Sequence, residues 1–301
     1  MSSEKKLVVV AGPTAIGKTD LAIRLALHYN THILSADSRQ FYQEMNIGTA
    51  KPSAEELKTA KHYFINSISV REEYSAGDYE TEALSVLNEL YITKDVAILA
   101  GGSGLFIRAV TEGFDDLPKA PSRLREELNE SLSQNGLVPL QRQLEKLDPV
   151  YYEQVDINNP QRVIRALEVC LSTGKPFSSF RSNSTTQRPF TTVKIGLTIA
   201  RELLYERINK RVDSMIDQGL VEEVASLVSY RHLNALNTVG YAEIFDYLDG
   251  NISLEAAIEK IKQNTRRFAK RQLTWLRKDS GIRWFAPGQT EEIINYINTG
   301  T

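Results

Sequence analysis

A chain of 301 residues, 42% hydrophobic and 25% charged, has the material for a buried core in roughly two domains of about 150 residues each. Its formal net charge of −2 excludes a uniformly basic nucleic-acid coat, and its single cysteine excludes internal disulfides and cysteine-based zinc sites. No window approaches the ~20 apolar residues that a membrane-spanning helix needs, and the N-terminus has no signal-peptide cleavage pattern, so no membrane contact and a cytoplasmic location are expected.

The first strand-like run is Leu7–Ala11. It leads directly into Gly12, Pro13, Thr14, Ala15, Ile16, Gly17, Lys18 and Thr19, a GxxxxGK[ST] phosphate cradle. The two glycines let successive N–H groups point inward at an anion, Lys18 adds a point charge, and the Thr19 hydroxyl is suited to Mg²⁺. The helix that follows, about Lys18 to Tyr29, aims its positive end at the same anion. Further strand-like runs are His32–Ala36, Val96–Ala100, Val193–Ile199 and Ile282–Phe285, mostly separated by helical periodicity. Two punctuated polar segments, 115–121 and 178–189, bracket candidate helices at Arg123–Gln134, Pro139–Leu147 and Pro160–Ser172. The expected fold is therefore α/β, a P-loop NTPase-like core with a mostly parallel sheet plus an inserted helical domain. The core occupies 1–114 and 189–301, and the insertion 115–188. Cys170, in the apolar run Ala166–Leu171, reads as a small buried hydrophobe.

Three features bear on chemistry. The run Val96–Ala100 ends in Gly101-Gly102-Ser103-Gly104 where a hydrolytic NTPase would carry a Mg²⁺-holding acid, which weakens the ATP-hydrolysis reading. That turn either brings backbone and the Ser103 hydroxyl close to a ligand or is a tight strand–helix connection, and the residues alone leave both open. Asp37 follows the second strand on the edge where open α/β sheets bind ligands; it could take a proton, hold Mg²⁺ through water, or cap the next turn, and its nearness to a phosphate site favours chemistry. Between Lys260 and Lys278 there are eight Lys/Arg residues and no acidic one, so the helix over 265–278 presents a cationic stripe suited to a polyphosphate backbone. A small-molecule or nucleotide kinase would share the loop and the Asp, and remains the alternative.

Together these pieces resemble the tRNA dimethylallyltransferase (tRNA isopentenyltransferase) family, bacterial type, over nearly the whole chain. The resemblance rests on Gly12–Thr19, Ser35–Tyr42, Asn46–Pro52, Gly101–Phe106, Asn159–Glu168, Val239–Tyr241 and Thr265–Trp275. It implies transfer of a dimethylallyl group from dimethylallyl diphosphate to N6 of the adenosine 3′ of the anticodon in tRNA. The cradle would hold the leaving diphosphate with Mg²⁺ on Thr19, and Asp37 would be the general base. Because adenine N6 is a poor nucleophile and its base stacks in the anticodon loop, the base must be extruded and deprotonated as the new bond forms. By the same resemblance, Asp37, Ser38, Arg39 and Gln40 contact the flipped nucleotide, with Ser103 beside it. The tRNA anticodon stem-loop is gripped by Gln161, Arg162, Val163, Ile164 and Arg165, by Asn237, Thr238, Val239, Gly240, Tyr241 and Ala242, and by Arg125. Arg201 and Arg211 close over the diphosphate. The family usually has Thr at 103, Tyr at 106 and 268, and often a basic residue at 242; Ser103 keeps the hydroxyl. A monomer is expected.

Overall fold

The computed structural model describes residues 4–115, 117–181 and 186–300. They fall into two compact units, one built from the chain up to Thr111 and from Arg188 onward, the other from Glu112–Gln187. The first unit carries β1 (Lys6–Ala11), β2 (Ile33–Ser35), β3 (His62–Tyr63), β4 (Val96–Gly101), β5 (Thr191–Leu197) and β6 (Ile282–Phe285) in one sheet of order β3-β2-β4-β1-β5-β6. Every pairing is parallel. Its helices before the insertion are α1 (Lys18–His28), α2 (Ala54–Thr59), α3 (Ala76–Thr93) and α4 (Gly104–Thr111). The second unit holds α5 (Ser122–Asn135), α6 (Leu137–Leu147), α7 (Pro149–Gln154) and α8 (Pro160–Thr173). The first unit resumes with α9 (Arg201–Asp217), α10 (Leu220–Ser226), α11 (Tyr241–Leu248), α12 (Leu254–Leu276) and α13 (Thr290–Thr299).

The continuous apolar run of β1 follows from its place in the middle of the sheet, where both faces are covered. Leu7 and Val9 enter one core with Leu34, Leu99 and Tyr79, whereas Val8 and Val10 enter the other with Leu25, Ile98 and Ile195. The chain leaves β1 for β2 on one side and later returns to β5 on the other, so the carboxyl end of β1 lies where the connections diverge, the usual ligand position of an open α/β sheet.

The second unit has its own core, in which Leu144, Val163, Ile164 and Leu167 are fully buried and Cys170 is 3% exposed. Asp148 is buried there and starts α7 by accepting from Tyr151 N at 2.9 Å, while also accepting from Ser178 N at 2.6 Å and Ser178 Oγ at 2.8 Å.

β5 starts and ends two residues before the run Val193–Ile199, because its polar start Thr191-Thr192 pairs with Lys6 and Leu7 of β1. The two residues of β3 are too short to leave a pattern, and the cationic segment 265–278 is the end of a helix that begins at Leu254.

Both tryptophans, Trp275 and Trp284, lie in the first unit, so their fluorescence reports on that unit alone. Leu99→Ala, at a fully buried position, is expected to lower the unit's unfolding free energy by about 2–5 kcal/mol in urea. Leu27→Ala, at a side chain 58% exposed, should change it by less than about 0.5 kcal/mol. Equal effects would contradict this assignment of the core.

Candidate active site

The loop leaving β1 turns back through left-handed backbone at Ala15 (φ 62°) and Gly17 (φ 102°). Gly17 precedes α1 without any side-chain capping bond, so first-turn N–H groups are left for an anion. The Thr19 hydroxyl has no hydrogen-bond partner among the described residues. Lys18 Nζ donates to Pro13 O at 2.8 Å. Loss of water lowers the Lys18 pKa from 10.5 to about 8; the Asp37 carboxylate opposes that shift and Arg211 adds to it. Arg211, on α9, donates to Thr14 Oγ1 at 3.3 Å, and burial lowers its pKa against the pull of Asp37 and Glu56. One turn earlier Arg207 donates to Ile16 O at 3.4 Å. Of the two arginines named from the sequence, Arg211 reaches the loop. Arg201 makes no hydrogen bond to it among the described residues; its side chain is 75% exposed and lies 3.5 Å from Glu202. Arg207 takes that place, because a residue one helical turn before Arg211 shares its face.

Asp37 takes up one of the roles open to it, shaping the turn, and keeps a second oxygen free among the described residues. Its Oδ1 accepts from Arg39 N at 2.9 Å and so shapes the turn, while Oδ2 has no hydrogen-bond partner among the described residues and the carboxylate acts electrostatically on Lys18 and Arg211. Ala36, just before it, donates its N–H to Ala100 O at 2.8 Å and accepts from Ser103 N at 3.2 Å. The turn Gly101–Gly104 therefore sits against the second strand, and its glycines make room for protein. A Cβ at Gly101 would overlap the Ala36 carbonyl, one at Gly102 the Gln272 amide, and one at Gly104 the Trp275 ring. This close connection is what sets Ser103, its hydroxyl unpartnered among the described residues, beside Asp37.

Gln40 is engaged within the protein. Its Nε2 donates to Thr49 O at 3.2 Å and Ala50 O at 3.1 Å, and its Oε1 accepts from Ser35 Oγ at 3.1 Å. A free amide edge for a base is thus not present at Gln40. The segment it grips is itself held by Glu223 of α10, whose carboxylate accepts from the N–H groups of Asn46 (2.9 Å), Ile47 (2.7 Å) and Gly48 (3.0 Å) and from Tyr241 OH (2.6 Å). Sequence reasoning passed over Glu223 and Gln272 because single polar residues within helices carry no local signal.

The residues assigned to tRNA divide by exposure. Gln161, Arg162 and Arg125 are exposed and Arg165 is half-buried, but the side chains of Val163 and Ile164 face the core and cannot touch a partner. Near α11, Asn237 and Ala242 are exposed and Thr238 and Val239 half-buried. Gly240 is buried, and Tyr241 is wholly buried as a partner of Glu223. Ser38 and Arg39 are half-buried beside Asp37. The cationic stripe is shorter than its sequence suggests: Lys260 lies 3.8 Å from Asp246, and Lys262 pairs with Asp213 at 2.7 Å and Glu259 at 3.3 Å. Arg267, Lys270, Arg271, Arg277 and Lys278 have no ion pair among the described residues. Lys270, Arg271, Thr274, Trp275 and Lys278 line a groove of about 300 Å³.

An anion in the loop favours the ammonium form of Lys18, so binding must draw in a proton wherever the free side chain is neutral. An alkyl diphosphate, fully ionised above its own last ionisation at about pH 6, is expected to bind with nearly constant affinity between about pH 7 and 8 and to weaken above that by up to about tenfold per pH unit. Calorimetry against pH checks this. Lys18→Met should remove the slope, and a slope that persisted in that variant would place the titrating group elsewhere, Lys51 being the other lysine lowered to about 8.

A sequence model of IPP transferase matches residues 40–279. The tRNA dimethylallyltransferase of Christiangramia forsetii is 53% identical over 294 residues, covering 97% of each chain, and tRNA dimethylallyltransferase 1 of Bacteroides thetaiotaomicron is 49% identical, covering 97% of this chain and 94% of its own. Among solved structures, the tRNA isopentenylpyrophosphate transferase of Bacillus halodurans superimposes with a TM-score of 0.73 at 38% identity, covering 98% of this chain and 96% of its own. A eukaryotic dimethylallyltransferase acting on tRNA gives 0.81 at 25% identity, covering 98% and 80%. The chain belongs to the IPP transferase family.

Proposed function

We propose that the protein transfers the dimethylallyl group of dimethylallyl diphosphate to N6 of the adenosine 3′ of the anticodon in tRNA. The observation that carries this reading is the Asp37 carboxylate, with one oxygen unspent, held in the field of Lys18 and Arg211 and beside the Ser103 turn. A group-transfer site for a diphosphate ester needs that pairing: cations where negative charge grows on the leaving group, and a base within reach of the nucleophile. The C–O bond to the diphosphate breaks as the C–N6 bond forms, the N6 proton passes to Asp37 Oδ2, and the electron pair leaves with the diphosphate, met by Lys18, Arg211 and the amides of the loop.

Mg²⁺ fits this site as an ion shared with the diphosphate. Thr19, whose hydroxyl has no hydrogen-bond partner among the described residues, would hold the ion beside the phosphate loop. When bound it neutralises leaving-group charge.

The exposed residues Arg125, Gln161, Arg162, Asn237 and Ala242, with the unpaired cations at the end of α12, are the surfaces we assign to tRNA. Contacts from the polar and cationic members of this set would be to backbone phosphates, which hold an RNA in register without reading its sequence; Ala242, whose N–H donates to Thr238 O, can add only surface.

Labelled dimethylallyl diphosphate, Mg²⁺ and unmodified tRNA give the direct test. Label should enter tRNA with the wild-type protein, whereas ATP-dependent phosphorylation of a small acceptor would point to a kinase. Asp37→Asn keeps an acceptor for Arg39 N and removes the base; transfer should fall by about 100- to 10,000-fold with tRNA affinity unchanged. Undiminished turnover in that variant removes Asp37 from the chemistry.

A further inference from the structure

Gln272 lies on the buried face of α12, 8% exposed, between Ala269 and Leu276, which are packed into the two cores. Its side-chain amide is used at both ends. Oε1 accepts from Thr14 N in the phosphate loop at 2.9 Å, and Nε2 donates to Gly102 O in the second glycine turn at 3.0 Å. One neutral amide can accept from an N–H and donate to a carbonyl at once; a carboxylate cannot donate and a thioether does neither well. Gly102 is bare for the same reason, since a Cβ there would overlap Gln272 Nε2.

We propose that Gln272 is a positioning residue that holds the diphosphate cradle and the Ser103 turn in one register. This rests on the transferase reading above. Thr14 is also the residue that Arg211 bonds, and Ser103 N is bonded to Ala36 O, directly before Asp37. A shift at Gln272 therefore moves the leaving-group side and the acceptor side against each other. Transfer depends on that spacing, because the electrophilic carbon lies between the diphosphate and the attacking nitrogen; a misplacement of about 1 Å costs about 100-fold in rate. Gln272 acts here through backbone, since each end of its amide is bonded to one of the two turns.

The experiment is a kinetic comparison of the wild-type protein with Gln272→Met, Gly102→Ala, Gln272→Ala, and the double variant Gly102→Ala, Gln272→Ala. If the wild-type protein transfers no dimethylallyl group, it is the transferase reading that fails. Given wild-type transfer, Gln272→Met should lower kcat per diphosphate-binding site, with sites counted by calorimetry, by about 100-fold while KM for each substrate stays within about threefold; this split differs from loss of fold alone, which would lower the number of sites and leave the rate per site unchanged. Gly102→Ala reaches the same contact from the other side and should show the same split, so the test survives if Gln272→Met does not fold. Removing the Gln272 amide gives the added methyl its space, so the double variant should be no slower than Gln272→Ala alone. Wild-type kcat in Gln272→Met overturns the proposal. So does tighter diphosphate binding in that variant, which would make the amide a competitor for Thr14 N–H.

Discussion

Two half-buried cations, Lys18 and Arg211, lie in the field of one shared carboxylate, Asp37, with Glu56 also acting on Arg211. Burial lowers the pKa of both, and Arg211 lowers that of Lys18 further; Asp37 opposes both shifts and Glu56 opposes that of Arg211, yet both remain downward. A polyanion entering the loop relieves this imbalance. The standing positive potential is therefore the element around which the phosphate loop, the second-strand carboxylate and α9 are arranged, and in the proposed transfer it would act on charge that grows on the leaving group without needing to rearrange first.

The fold maintains that arrangement by backbone approach. β4 lies between β2 and β1, so its glycine turn is wedged against Ala36 on one side and joined to the loop after β1 through Gln272 on the other. Further out, Glu223 gathers three backbone N–H groups and the Tyr241 hydroxyl, fixing the segment whose carbonyls hold Gln40. Tyr241 and Gln40 are thus both engaged within the protein.

The parts legible in the sequence were those with a local signature. The phosphate loop, five strand runs and three of the insertion's four helices each have a pattern within one window, whereas α7 does not. Val163 and Ile164 were read as part of a contact block because a motif does not say which of its side chains face inward; the periodicity of α8 does, placing them with Leu167 in the core. Arg201 and Arg207 could not be ranked without knowing which face of α9 meets the loop. Gln272 and Glu223 gain meaning only from partners 258 and 177 residues away along the chain, respectively Thr14 and Asn46. The partial neutralisation of the cationic stripe by Asp213 and Asp246 is non-local in the same way.

Transfer by the proposed route requires the loop to hold a leaving diphosphate. Counting released inorganic diphosphate against prenylated adenosine in a single reaction tests this most directly. One diphosphate should appear for each prenylated tRNA, with none in the absence of tRNA and no dependence on ATP. Release of monophosphate from ATP, coupled to modification or not, would contradict it.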